Sequence, residues 1–241
     1  MTTATNVSAD TAAVLGALRD LATSVFGDVD RIAAATLEQL DPAGRRLSTS
    51  LRAIDEVTTR IVEQQGQPIT GAGFVAAVGY LDDTRWWLEW FARGEGAKAD
   101  RLASETNPQA PGFYDYEFLP WYVVPRDTGR RHVTGPYVDY LCTDDYTLTF
   151  TMPVVVDKTF AGVAGADVKV DTAETLLMPP LRAAGQRLAV VNAHGRIVAS
   201  NSGRHVCGDL LADVDVPAAW QHGHPALHRL DDLPLAVADL G

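Results

Sequence analysis

FYDYEFLPWYVVPRDTGRRHVTGPYVDYLCTDDYTLTFTMPVVVDKTFAGVAGADVKV, residues 113–170, is the stretch whose reading decides the fold. Within it, residues 147–152 (TLTFTM) alternate strictly, with Leu148, Phe150 and Met152 on one side and threonines on the other. That period of two predicts a half-buried antiparallel strand with its threonines outward. Asp157-Lys158 reads as a turn, and residues 161–170 return as a second strand in which Gly162 and Gly165 permit close approach. The segments upstream, at residues 113–140, also read as strands. They are crowded with tyrosines, Trp121 and aspartates. This composition suits a pocket with aromatic walls and fixed negative charge, which holds a small cation better than it performs chemistry.

Upstream of this block, residues 10–40 repeat Val14, Leu18, Leu21, Val25, Ile32, Leu37 and Leu40 at helical spacing, with Gly27 and Asp41-Pro42 marking a break or an end. A second helical run, residues 45–65, carries Leu47, Leu51, Ile54, Val57 and Ile61 on one stripe and stops at Gly66 and Pro68. The glycine-rich residues 70–79 suit a tightly packed helix or turn. Trp86 and Trp90, on a strand, share one face and read as plugs of the core. Residues 93–111 read as a loop. Downstream, residues 172–184 predict a helix interrupted by Pro179-Pro180. Residues 187–203 predict a strand, a tight turn at His194-Gly195 and a strand, and residues 235–237 a last short strand.

Bulk properties exclude several functions. A net charge of −11 argues against a nucleic-acid surface, which needs a basic patch. No apolar run approaches the roughly 20 residues of a membrane span. The N-terminus lacks the basic region of a signal peptide, so the expected location is cytoplasmic. Cys142 and Cys207 are too few for a disulfide framework and have no metal spacing. His222, His224 and His228 match no zinc signature, and nucleophile elbows, P-loops and zincin motifs are absent. The expectation is a protein that is not an enzyme and carries neither cofactor nor metal.

The order of elements resembles a Cache sensor domain, a PAS-like ligand-binding module. The likeness rests on Trp121-Tyr122, on Gly135-Pro136-Tyr137-Val138-Asp139, on the strand pair TFTMPVVV and FAGVAGADV, and on the hairpin VVNAHGRIVASN. It implies an α+β fold: long N-terminal helices, then a PAS-like antiparallel sheet flanked by helices, then an abbreviated second α/β module. The corresponding divisions are 1–68, 69–170 and 171–241.

The resemblance, of double Cache type, also implies a site. In amino-acid-binding members an arginine just before the Trp pair grips the ligand carboxylate, while aromatics and a later aspartate hold the ammonium. Trp121, Tyr122, Tyr137, Asp139 and Asp167 match the aromatic and acidic part. Phe118, Leu119 and Pro120 stand where the arginine would be. The chain is therefore more similar to the subset that recognises amines, such as a quaternary amine or polyamine. Tyr114 and Tyr116 fall on one face at period two, which puts at least one of them against the pocket.

The chemistry is coherent. An ammonium gains a charge-assisted hydrogen bond from a carboxylate and cation–π attraction of about 0.5–2 kcal/mol from each aromatic face. A buried cation also needs a partner charge. Other readings stay open on the residues alone. Asp167 caps a turn or the helix at 172. The tyrosines pack the sheet. Arg126, Arg130 or Arg131 supplies a carboxylate grip and makes this an amino-acid or carboxylate sensor. The N-terminal helices are also a surface for homodimerisation, so a helical interaction module without ligand is a further reading. A sensor of this kind acts through a signalling partner that the sequence does not name.

Overall fold

The computed structural model describes residues 7–40, 44–94, 96, 98–138 and 146–241. Helix α1 (Ala9–Gln39) opens with the Ser8 hydroxyl accepting from the amide of Thr11 at 3.1 Å. It runs unbroken through Gly27, because Val14, Leu18, Leu21, Val25, Val29 and Ile32 form one continuous buried stripe on either side of that glycine. The second run forms a 3₁₀ segment (Ser48–Ile54) leading into a short α2 (Asp55–Glu63) rather than one long helix.

Two antiparallel sheets follow. The first comprises β1 (Ile69–Ala76), β2 (Leu88–Arg93), β3 (Ala99–Arg101), β4 (His132–Val138), β5 (Tyr146–Val156) and β6 (Thr159–Lys169), in the order β3-β2-β1-β6-β5-β4. Helix α3 (Pro120–Thr128) lies between β3 and β4 in the chain. The second, ordered β8-β7-β10-β9, is built from β7 (Leu188–Asn192), β8 (Ile197–Ser200), β9 (Leu227–Arg229) and β10 (Leu235–Asp239). Helix α4 (Val170–Ala183) joins the sheets and α5 (Val216–His222) covers the second. The α+β class and PAS-like order expected from the sequence are present.

Several local expectations give way to packing. Residues 70–76 belong to the central strand β1 rather than a helix or turn, and only residues 78–79 of this stretch are turn. Glycine is required at position 73, where a β-carbon would stand 2.1 Å from the Glu89 carbonyl oxygen on β2. Pro179 and Pro180 do not interrupt α4. Its inner face of Val170, Ala173, Leu177 and Leu181 is buried and holds the helix through the two missing N–H groups. Residues 99–101 form the edge strand β3 inside the stretch expected to be loop. Residues 120–128 are helical where strands and a hairpin turn were expected.

Both faces of the first sheet are covered. On one, Phe74, Leu148, Phe150, Ala164, Ala166 and Val168 pack against α1, with Phe26 meeting Phe150 edge-on at 5.4 Å. The second sheet sends Val190, Val198, Leu235 and Val237 into the same core. Its opposite face is closed by Leu211, Val216, Ala219 and Leu227. On the other face of the first sheet, Val75, Trp86, Leu88, Trp90, Tyr116, Trp121, Tyr122 and Val163 form a separate aromatic cluster beneath α3. The threonines of β5 therefore do not reach solvent: Thr147, Thr149 and Thr151 are all buried.

Candidate ligand-binding site

Strand register assembles the site on this second face. One row across the sheet runs Ala92, Gly71, Asp167, Thr149, Thr134, and the next runs Trp90, Gly73, Gly165, Thr151, His132. Alternation sends the hydrophobic residues between them to α1 and leaves this face with glycines, threonines and one carboxylate. Tyr137 joins it through a bulge. Thr134 pairs with Thr149 and Tyr137 with Thr147, so β4 spends three residues where β5 spends two. The extra residue turns Tyr137 onto the threonine face; without it, Tyr137 would point toward α1. Glycine is required at 135, where φ is 120° and a β-carbon would lie 2.4 Å from the Thr147 carbonyl oxygen. Asn192 of the second sheet donates to the Gly135 carbonyl at 2.7 Å and fixes the bulge from behind.

Asp167 is the buried carboxylate of this face. The Thr149 hydroxyl donates to its Oδ1 at 2.6 Å, and the Tyr137 hydroxyl lies 2.8 Å from the same threonine oxygen. Thr149 has one hydroxyl proton and it goes to the carboxylate, so Tyr137 is the donor in the outer bond. The result is a relay of aligned dipoles, Tyr137 to Thr149 to Asp167, that favours negative charge on Asp167. Asp167 lies inside β6, ahead of α4, whose N-cap, Lys169, makes no side-chain cap bond.

Trp90 lies beside it. A β-carbon built on Gly71 would be 3.0 Å from Trp90 Nε1 and 3.1 Å from Asp167 Oδ2, and one built on Gly165 would be 3.3 Å from Trp90 Cη2. The indole therefore spans the glycine floor with its N–H edge turned to the Asp167 side. The sequence placed Trp86 and Trp90 on one face as core plugs. Period two was the available signal, but nothing in the sequence brought β6 alongside Trp90.

The aromatic wall comes from α3 and the segment before it. Pro120 occupies the first turn, and Gly129 ends the helix in the left-handed conformation. Tyr116 meets Trp121 and Tyr122 with ring centroids 6.2 and 5.2 Å away. Its hydroxyl is held by main chain: it donates to the Ala76 carbonyl at 2.9 Å and accepts from the Trp87 amide at 3.3 Å. Burial pushes this phenol well above its ordinary pKa, which keeps it a donor. The Tyr122 hydroxyl accepts from the Val78 amide at 3.3 Å. Tyr116 and Tyr122 thus contribute rings to the wall while their hydroxyls splice α3 to the β1–β2 connection. Tyr114 is half-buried against the same cluster. Asp139 lies outside the described residues, as do Cys142 and Asp144-Asp145.

The three arginines considered for carboxylate capture are engaged elsewhere. Arg131 makes bonds of 2.6 and 2.7 Å to Asp30 on α1 and lies over Phe26, on the opposite face of the sheet. Arg130 approaches Asp232 at 4.0 Å. Arg126 pairs with the adjacent Asp127 at 2.7 Å and lies over the Tyr122 ring, 5.8 Å from its centroid. Among the described residues no group of three or more His, Cys, Asp and Glu side chains is placed to hold a metal.

Residues 96–175 match the family model of the methyl-accepting chemotaxis protein-like first PDC sensor domain. That segment contains α3, the bulge and the β5–β6 pair. No curated protein matches the chain by sequence. Solved structures match over nearly its whole length. The extracellular domain of histidine kinase soHK1S-Z6 superposes with a TM-score of 0.65 at 14% identity, covering 97% of this chain and 91% of that one. The sensory domain of the Campylobacter jejuni chemoreceptor Tlp3, with isoleucine bound, gives 0.60 at 11% identity, covering 97% and 90%. The ligand-binding domain of the Pseudomonas fluorescens chemoreceptor CtaA, in complex with L-valine, gives 0.60 at 12%, covering 97% and 93%. At these identities the shared property is the fold. The chain has the architecture of chemoreceptor and kinase sensor domains, and its residues 96–175 carry the sequence pattern of the first PDC module.

Proposed function

We propose that this protein is a non-catalytic, ligand-binding sensor domain that takes a small protonated amine against Asp167. The observation that carries the reading is the buried Asp167 carboxylate, held by the Thr149–Tyr137 relay on a glycine-floored face between Trp90 and Trp121. An ammonium there gains a charge-assisted hydrogen bond and adjacent aromatic faces. The pairing of Arg131 with Asp30, on the opposite side of the sheet, favours amines over amino acids. Signal output would pass through a partner, with α1, which packs on the sheet, as the element that feels the ligand.

A second reading is an amino-acid sensor. It is favoured by the relatives crystallised with isoleucine and L-valine. Lys169, two residues along β6 from Asp167 and so on the same face, is the cation in this strand that could serve a carboxylate. Thermal-shift and calorimetric titration with alkylamines, diamines, quaternary amines and amino acids separates the two. Stabilisation by amines, lost in Asp167→Asn, is the expected result. A response confined to carboxylate-bearing compounds rejects the amine reading.

A further inference from the structure

Trp90 Nε1 is a buried donor with no hydrogen-bond partner among the described residues, on a side chain only 6% exposed. Buried polar groups are almost always paired, and an orphaned donor marks a missing acceptor or a cost the fold bears. Trp90 Nε1 and Asp167 Oδ2 both stand about 3 Å from one point, the place a β-carbon on Gly71 would fill. A neutral donor and an anionic acceptor therefore lie within about 6 Å of each other over the bare Cα of Gly71. Trp86 Nε1 is also unpaired, with no carboxylate identified beside it, and nothing in the structure explains that one.

We infer that Trp90 is a specificity-determining residue and that the ligand is an amine bearing a neutral hydrogen-bond acceptor on the carbon next to its aminomethine or aminomethylene carbon: an amino alcohol or amino amide. This rests on the amine reading above. The ammonium addresses the Asp167 carboxylate and the vicinal oxygen takes the indole N–H, so one small two-pronged ligand engages both groups. A quaternary amine offers neither a donor to Asp167 nor an acceptor to Trp90. A carboxylate at the same place would be stripped of water and given one neutral N–H in return, which is poor compensation for a charge.

The test uses three compounds with the same branched side chain: isobutylamine, L-valinol and L-valine. Calorimetry on the wild-type protein is expected to rank valinol above isobutylamine by about 3- to 10-fold, the worth of one neutral hydrogen bond, with valine weaker than valinol. Trp90→Phe is expected to erase the valinol preference, costing valinol more than isobutylamine by that same factor. The chain has five tryptophans, so the wild-type indole N–H spectrum is simple to assign. The Trp90 signal should move downfield with valinol and much less with isobutylamine, and this readout stands even where the variant folds poorly.

The outcomes separate the two claims. Binding of isobutylamine and valinol with equal affinity overturns the inference and leaves the amine reading standing. A Trp90→Phe loss that is the same for both compounds, with an unmoved indole proton, makes Trp90 structural and also overturns it. Tighter binding of valine than valinol overturns the neutral-acceptor class. Absence of binding by any of the three overturns both readings.

Discussion

The Thr151 hydroxyl donates to the main-chain carbonyl of Trp121 at 2.8 Å. In a regular helix that carbonyl would accept from the amide four residues on, but residue 125 is proline and has no N–H. A sheet threonine thus fills the gap that a helix proline creates, and the bond pins α3 onto the glycine–threonine face at a residue whose indole belongs to the aromatic cluster.

Thr151→Val removes this donor while keeping shape. The Trp121 carbonyl is then buried without a partner, and the expected loss of stability is about 1–3 kcal/mol. Denaturant unfolding measures it. Ligand affinity should fall as well, because Trp121 is no longer held. Unaltered stability would show that water replaces the hydroxyl.

The relay to Asp167 predicts a graded series. Asp167→Asn keeps size and removes charge; loss of a charge-assisted bond should weaken amine binding by about 10-fold or more. Thr149→Val, which breaks the bond to Oδ1, should cost less. Tyr137→Phe, which removes only the outer donor, should cost least. Titration calorimetry on the three variants checks the order. A Tyr137→Phe effect as large as that of Asp167→Asn would mean that Tyr137 touches ligand directly.

The bulge that orients Tyr137 depends on Gly135. Gly135→Ala meets both a left-handed backbone and the Thr147 carbonyl oxygen. Destabilisation above about 2 kcal/mol is expected, together with loss of ligand binding. Asn192→Ala, which withdraws the second sheet's bond to the same residue, should reproduce a milder form of both. Binding that survives Gly135→Ala at full affinity would detach Tyr137 from the site.

His132 lies opposite Thr151 on β4 and is half-buried. Burial, aided by nearby His194, lowers its pKa from 6.5 to about 4. Between these values the unfolded chain binds a proton that the folded chain refuses, so stability rises with pH through this window. It is complete above about pH 6.5 and is lost as pH falls toward 4, by an amount on the order of 1–3 kcal/mol. Melting temperatures from pH 7.5 to 4.5 should fall less steeply in His132→Phe. Parallel curves for the two proteins would assign the acid sensitivity to other groups.

How much of this was legible in the sequence depends on the range of the interaction. The alternation of residues 147–152 fixed β5 and its inward residues, and the helical stripe from Val14 to Ile32 fixed the buried face of α1, because both patterns arise within single elements. The same alternation could not say that the threonine face would be covered. It is buried because α3 folds over it, and that contact joins residues thirty apart. Trp121-Tyr122 read as strand because aromatic residues favour sheets, while Pro120 and Gly129 held the helix signals at either end.

The site divides along the same line. The sequence supplied an aromatic and acidic composition, and its resemblance to the Cache family singled out Tyr137 and Asp167 in it and implied that Leu119 stands where an arginine would be. Only the tertiary structure decided their partners. Strand pairing set Asp167 between Gly71 and Thr149, a one-residue bulge turned Tyr137 to the same face, and a neighbouring strand laid Trp90 across the glycine floor. Packing also drew Arg131 to Asp30 on the far side of the sheet. Local periodicity tells which way a side chain points on its own element; only the register between elements tells what it points at.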